Sequence, residues 1–226
     1  MMTLLLLSQL AQAEGWRAKE SKMFSIRYGP NFYDSELLTS IYGETGNKGL
    51  LVDAGVSLYR YVDIEVGLGY FKSEGYLLAA DNSVSGVLDT LQVIPLSVAV
   101  GGRLDVLENQ IIVPFGNYGR DYWLWRESWG TEIIPAETTD DSTDVETTES
   151  DSSDKERIQG GKQGSHYSYG VEILLDRFDY VGASKLKTQF GIDDTYFVIE
   201  KRAFSIGEDG LILDGKSTTF GFRFQY

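Results

Sequence analysis

Apolar and polar residues alternate along much of this chain, most clearly toward residue 226. Thr218, Phe220, Phe222, Phe224 and Tyr226 fall on one face of an extended segment, and the residues between them are small or polar. Successive side chains of a β-strand point to opposite faces of the sheet. A period of two therefore predicts a strand with one apolar face.

Similar alternation predicts about seven further strands. They cover approximately residues 24–28, 50–58, 64–70, 94–100, 110–126, 167–175 and 195–202. A sheet that spans a membrane must close on itself, because lipid offers no hydrogen-bonding partner to an open edge. We therefore predict an all-β chain that forms a transmembrane antiparallel up-and-down barrel of about eight strands.

The positions of the charged residues predict which face of each strand lies inside the barrel. An Arg or Lys near the middle of the lipid-facing surface costs about 2–4 kcal/mol, and Asp or Glu costs less. The polar face is therefore predicted to line the lumen. The charged residues placed there are Arg27, Asp53, Glu65, Glu172, Glu200, Arg202 and Arg223.

The segment from Gln110 to Arg126 alternates least regularly. Apolar residues placed toward lipid in this segment are Ile111, Val113, Phe115, Trp123 and Trp125. Asp121 then falls on the lipid side, which predicts a β-bulge near Gly119 that changes the register.

The connections between the predicted strands alternate between long and short, as in outer-membrane barrels. Residues 31–48, 72–88, 127–164 and 206–216 are predicted to be outside loops, and 127–164 is strongly acidic. A helical turn is expected near residues 183–187, in the connection on the other side of the membrane. An even strand number places both termini on one side, which we expect to be the periplasm.

Residues 1–13 resemble a signal peptide, with an apolar run at Leu4–Leu7 and small residues at Ala11 and Ala13. Residues 14–226 are then the barrel domain. The chain has no Cys, which excludes disulfides and thiolate metal sites. Its formal charge of −14 argues against nucleic acid as a partner, because phosphates are repelled by an acidic surface.

The pattern Phe220-x-Phe222-x-Phe224-x-Tyr226 resembles the C-terminal assembly signal of outer-membrane barrels. The chain from about residue 22 onward resembles the small eight-stranded barrels of the OmpA, OmpX and OmpW type. The resemblance implies a monomer in the outer membrane of a Gram-negative bacterium. It also implies contacts with outer-membrane lipid and lipopolysaccharide, and with the barrel assembly machinery during insertion. A secreted soluble β-barrel or sandwich is the structural alternative.

An eight-stranded barrel has an interior just wide enough for side chains to fill it. The charged lumen residues are therefore predicted to form a paired, packed network, and the expected role is structural or surface-interactive. A narrow channel for small or apolar solutes is one alternative. The other is a lipid A-modifying hydrolase, because His166 and Ser168 share a face and a His can activate a Ser. No catalytic residue, metal or cofactor is predicted.

Aromatic residues near the ends of the predicted strands are interpreted as a girdle that fixes the depth of the barrel in the membrane. The residues assigned to the outer girdle are Tyr70, Trp123, Trp125, Tyr167 and Tyr169.

Overall fold

A computed structural model of the protein describes residues 21–43, 47–78, 84–107, 110–130, 156–207 and 211–226. Its strands are β1 (Ser21–Tyr33), β2 (Asn47–Leu58), β3 (Val62–Leu78), β4 (Val84–Arg103), β5 (Ile112–Trp129), β6 (Glu156–Leu174), β7 (Asp194–Ile206) and β8 (Gly215–Gln225). Each strand pairs antiparallel with the next, and β1 pairs with β8 to close the barrel. The predicted up-and-down barrel of about eight strands is confirmed.

The two ends of the barrel differ in their connections. The end with Ser21 and Gln225, here called the terminal end, holds the connections 59–61, 104–111 and 175–193. The shortest of these is a tight turn in which Tyr59 and Arg60 have positive φ. The opposite end, here called the loop end, carries the helix α1 (Glu36–Tyr42).

The helix α2 (Tyr180–Phe190) lies in the connection between β6 and β7, where the sequence predicts a helical turn. Its N-terminus is capped by Asp179, whose side chain accepts a hydrogen bond from the Gly182 backbone N–H. Gly191 ends the helix in the left-handed conformation that glycine adopts without strain. No helix among the described residues is long and apolar enough to cross a membrane.

Several predicted boundaries differ from the structure. Residues 156–164 and 127–129 belong to strands, whereas the sequence places them in the acidic outside loop. Residues 131–155 of that loop and the predicted signal peptide, residues 1–13, lie outside the described residues. Helix α1 falls in a segment predicted to be a loop, because seven residues are too few for a clear helical periodicity.

The predicted register of β5 is wrong. The strand pairs without interruption with β4 and β6, so no bulge occurs near Gly119. Val113, Phe115 and Trp123 are buried inside the barrel, and Trp125 shares their face. Asp121 shares this inward face too, so no bulge is needed to keep its carboxylate away from lipid. The prediction failed because it assumed that every apolar side chain faces outward, whereas part of the lumen is apolar.

The orientation of Trp123 gives a direct test of this register. We expect acyl chains brominated along their length to quench its fluorescence weakly in a variant that retains Trp123 as its single Trp. A matched variant with Trp123→Phe and Tyr122→Trp carries its single Trp on the outward face, where Tyr122 is 42% exposed. Quenching in vesicles should be clearly stronger in the matched variant. Equal quenching of both would contradict the inward position of Trp123.

The lumen has three layers. At the terminal end Val113, Leu174 and Tyr196 form a small apolar base. Above it lies a layer of buried charged side chains. At the loop end lies a larger apolar cluster, here called the plug: Tyr33, Leu38, Tyr42, Leu51, Phe71, Leu91, Val93, Trp123, Phe204, Ile206 and Leu213.

Helix α1 contributes Leu38 and Tyr42 to the plug and so covers the loop end of the lumen. The helix approaches β3 closely at Gly75, where a Cβ atom would lie only 1.9 Å from the Ile41 carbonyl oxygen. A glycine at this position is therefore required for the helix to lie across the mouth of the barrel.

Candidate functional site inside the barrel

The structure places all seven predicted lumen residues on the inward face and buries them: Arg27, Asp53, Glu65, Glu172, Glu200, Arg202 and Arg223. They form two groups of ion pairs, one around Arg223 and one around Arg27. Two further residues that the sequence analysis did not single out, Asp63 and Arg103, complete the first group.

Arg223 on β8 is the centre of the first group. Its guanidinium donates hydrogen bonds to Asp63 at 2.6 Å and to Glu172 at 2.8 Å, and it lies 3.5 Å from a Glu65 oxygen. Arg103 donates to the other oxygen of Glu172 at 2.6 Å. Arg223 on β8 thereby connects to β3 and β6 through its carboxylate partners, and Arg103 adds β4 to the same group.

Arg27 on β1 is the centre of the second group. It donates to Asp53 and to Glu200. The Ser25 hydroxyl also donates to Asp53 at 3.0 Å, and Arg202 donates to Glu200 at 3.2 Å. Glu200 and Arg202, the pair that shares a face two residues apart on β7, are therefore in direct contact.

Four arginines and five carboxylates fill this layer almost completely. The space left between Ser25, Arg27, Asn117 and Arg223 is small, with room for about one water molecule. Buried charges need partners to remain ionised at tolerable cost, and each charge here has at least one. The paired charges therefore act as a cross-brace between strands on different sides of the lumen.

The residues that sequence reasoning missed had detectable signals. Asp63 lies two residues before Glu65, and Arg103 two residues after Gly101, so each shares the inward face of its strand. Both lie just outside the strands predicted at residues 64–70 and 94–100, so neither was included among the charged lumen residues. Asp121 was missed because the register predicted for β5 was wrong.

Asp121 and His166 form a buried pair above the charged layer, with His166 Nδ1 2.7 Å from Asp121 Oδ2. The ring of His166 lies against Gly119, where a Cβ atom would be 2.3 Å from Cε1. Ser168 shares the inward face, but no described residue hydrogen-bonds to its hydroxyl or to His166 Nε2. A lipid A hydrolase would need this His and Ser to meet lipid, whereas both are buried inside the barrel.

A polar contact fastens helix α1 to the rim of the barrel at the loop end. The Tyr42 hydroxyl donates to Asp89 Oδ2 at 2.6 Å and lies 3.2 Å from Glu127 Oε1. Burial, and after it the hydrogen bond to Asp89 and its negative charge, raise the pKa of Glu127 to about 7. The raised pKa reflects the cost of a second negative charge beside Asp89 in this small, partly buried space.

We expect the contact between helix α1 and the rim to weaken as the pH rises. A carboxyl group whose pKa is higher in the folded state stabilises that state fully below its unfolded pKa, and this contribution is lost as the pH passes about 7. Amide hydrogen-exchange protection in helix α1, corrected for intrinsic rates, should fall on the order of fivefold between pH 5 and pH 8.5, because Glu127 is partly solvated and its effect is screened. The variant Glu127→Gln should remove the pH dependence. An unchanged fall in that variant would exclude Glu127 as its cause.

The predicted aromatic girdle is only partly on the outer surface. Tyr70, Tyr167 and Tyr169 are outward and 45–57% exposed. Trp123 is 3% exposed and belongs to the plug, and Trp125 packs against the plug. Both tryptophans are corrections to the prediction, and the cause is the register of β5.

The C-terminal aromatic residues Phe220, Phe222, Phe224 and Tyr226 share the outward face. Strand β8 pairs with both β7 and β1 and closes the barrel. Their interpretation as an assembly signal remains a prediction. No group of three or more His, Cys, Asp or Glu residues placed to hold a metal ion occurs among the residues described.

Comparison with known proteins identifies the fold. No protein-family model and no curated protein matches the chain. Among solved structures, the outer membrane protein OprG from Pseudomonas aeruginosa aligns with a TM-score of 0.56 at 10% identity, over 92% of this chain and 97% of that chain. Neisserial surface protein A aligns at 0.47 and 10% identity, and Ail of Yersinia pestis at 0.46 and 7%, each over the same shares of the chains.

The fold is therefore that of small eight-stranded outer-membrane barrels, and the resemblance predicted from the sequence is confirmed. At these identities the likeness concerns the fold alone.

Proposed function

We propose that the protein is a non-conducting barrel of the outer membrane with a structural or surface-interaction role. The observation that carries this proposal is the filled lumen, in which the charged layer and the plug lie one above the other. Either layer alone would obstruct the passage of a hydrated solute. The two layers also hold the strands together from within, as a packed core does in a soluble protein.

The outer surface supports a location in lipid. Val66, Leu68, Val98 and Val100 are outward neighbours on β3 and β4, and each is more than half exposed. Exposed apolar surface costs about 25 cal/mol per Å² in water, and soluble monomers rarely carry large continuous apolar patches. In a bilayer the same side chains face acyl chains at no such cost.

The connections support an orientation. The shortest connection, the turn at residues 59–61 with Tyr59 and Arg60, lies at the terminal end, and the longest, residues 130–155, lies at the loop end. Outer-membrane barrels carry short turns on the periplasmic side and long loops outside. The loop end is accordingly assigned to the cell exterior and both termini to the periplasm. The long loops are then the parts of the protein available to surface partners.

Electrical recording in planar lipid bilayers tests the proposal. We expect purified, folded protein to produce no stepwise conductance above that of the bare bilayer, while a sixteen-stranded porin in the same apparatus gives clear steps. Insertion is verified by recovering the protein and showing that its mobility in SDS changes on boiling. Reproducible steps from the wild-type barrel would overturn the occluded lumen and favour the narrow-channel alternative.

A further inference from the structure

Two cations lie on the outward face of the barrel, among apolar side chains. Arg120 on β5 and Lys201 on β7 are both exposed, and neither forms an ion pair with any residue in the described part of the chain. A lipid-facing Arg or Lys is costly near the bilayer midplane and costs close to nothing at the interface. Both cations therefore need an interfacial depth or an anionic partner.

The register places the two cations on either side of one tyrosine. Arg120 is opposite Ser165 of β6, and Lys201 is opposite Tyr169 of the same strand. Tyr167 lies between these two partners and is 57% exposed. Four residues along a strand and two steps between strands separate the cations by roughly 16 Å between Cα atoms. Barrel strands tilt by about 35–45°, which brings such offset positions to similar depth in the membrane.

The surface changes character at the level of these cations. Toward the loop end, the outward residues of β6 and β7 are polar or small, including Gln163, Ser165 and Ser205. Toward the terminal end they are apolar, including Val171 and Ile199. On β6 and β7 the surface thus changes from apolar to polar at the level of the cations, whereas on β5 the outward Tyr122 and Leu124 continue the apolar surface beyond Arg120. A groove also runs from Arg120 along the apolar side chains of β3 and β4.

The outward charge at this level is positive although the whole chain carries −14. Of the described strand residues, the only outward carboxylate is Glu74, which pairs with Lys72 near the loop end of β3. The charge of this surface is therefore complementary to an anionic headgroup.

We propose that Arg120 and Lys201 bind the two phosphates of a bis-phosphorylated glycolipid in the outer leaflet. Tyr167 packs beneath the sugar moiety between the phosphates, and the acyl chains lie along the apolar surface toward the terminal end. Long flexible side chains on Cα atoms roughly 16 Å apart can reach two phosphates carried on one disaccharide. The inference rests on the proposed membrane location and orientation, and specifies one lipid contact that would follow from them.

Lipid retention measured by native mass spectrometry tests this site. Wild-type protein is reconstituted in phosphatidylcholine with equal small amounts of bis-phosphorylated and monophosphorylated lipid A, then extracted in mild detergent. We expect preferential retention of the bis-phosphorylated form. Arg120→Gln or Lys201→Gln should each lower that retention about fivefold, since one cation near an anionic lipid surface contributes about 1 kcal/mol. The double variant should lower it roughly 25-fold if the two contributions add.

Lys22→Gln is the matched control, because Lys22 is an outward, exposed cation at the terminal end of β1. Its retention of lipid should equal that of the wild type. Equal retention by the wild type and the double variant would overturn the site, as would the same loss in Lys22→Gln. The mobility of each variant in SDS, boiled and unboiled, is recorded in parallel. A wild-type protein that fails to insert contradicts the proposed function itself, whereas an inserted protein without phosphate preference contradicts only the lipid site.

Discussion

Replacing Arg223 by Ala should destabilise the barrel by at least about 3–5 kcal/mol, because it removes the common partner of a buried charge cluster. Asp63, Glu65 and Glu172 all contact its guanidinium, and Arg223 is 3% exposed. After the substitution, Arg103 remains as the only described cation in contact with Asp63 and Glu172. The free energy of unfolding, measured by urea titration of protein folded into vesicles, is the quantity to compare.

Two further variants make the Arg223 experiment specific. Arg223→Lys keeps the positive charge but not the planar set of donors, and should recover part of the lost stability. Lys22→Ala removes an exposed, outward cation and should change stability by less than about 0.5 kcal/mol. If Arg223→Ala unfolds at the same urea concentration as Lys22→Ala, the charged layer does not hold the strands together.

Replacing Trp123 by Ala should cost about 3–5 kcal/mol, the range found when a large aromatic side chain is removed from a packed interior. Its ring lies 4.8 Å from Phe204 and 6.0 Å from Phe71, measured between ring centroids. The cavity would open in the middle of the plug. The same urea titration in vesicles measures the loss.

Leu124→Ala is the control for this substitution, because Leu124 is the next residue on β5 and faces outward, 42% exposed. Its side chain lies on the outer surface and not in the packed plug, so its removal leaves no enclosed cavity and the cost should be roughly half that of Trp123→Ala or less. A larger cost for Leu124→Ala than for Trp123→Ala would show that β5 has the register first expected from the sequence.

The barrel itself could be predicted because alternation, strand number and charge placement all follow from one physical constraint, which is that polar groups must be kept away from acyl chains. Charged residues cannot lie cheaply against acyl chains, so Glu65, Glu200 and Arg223 were placed inside by their positions alone. The ion pairs between them could not be predicted. They join residues far apart in sequence, such as Arg27 and Glu200, and depend on the closure of the barrel.

The register of β5 could not be predicted because apolar residues occur on both sides of the barrel wall. Trp123 is buried in the plug, while its neighbours Tyr122 and Leu124 face outward. A pattern that is apolar on both faces gives no preference for either register. Helix α1 was missed for a related reason: it is short, and its position depends on a glycine in a distant strand, Gly75.

The mobility of the protein in SDS, before and after boiling, tests most directly whether the chain is a closed barrel in the outer membrane. Closed barrels keep their compact form in SDS until they are heated, because every strand is paired and the lumen is braced from within. We expect the protein in the outer-membrane fraction, with a faster band in the unboiled sample that disappears on boiling. Protein found in the soluble periplasmic fraction, with one band unaffected by boiling, would contradict the membrane barrel and favour a secreted β-sandwich.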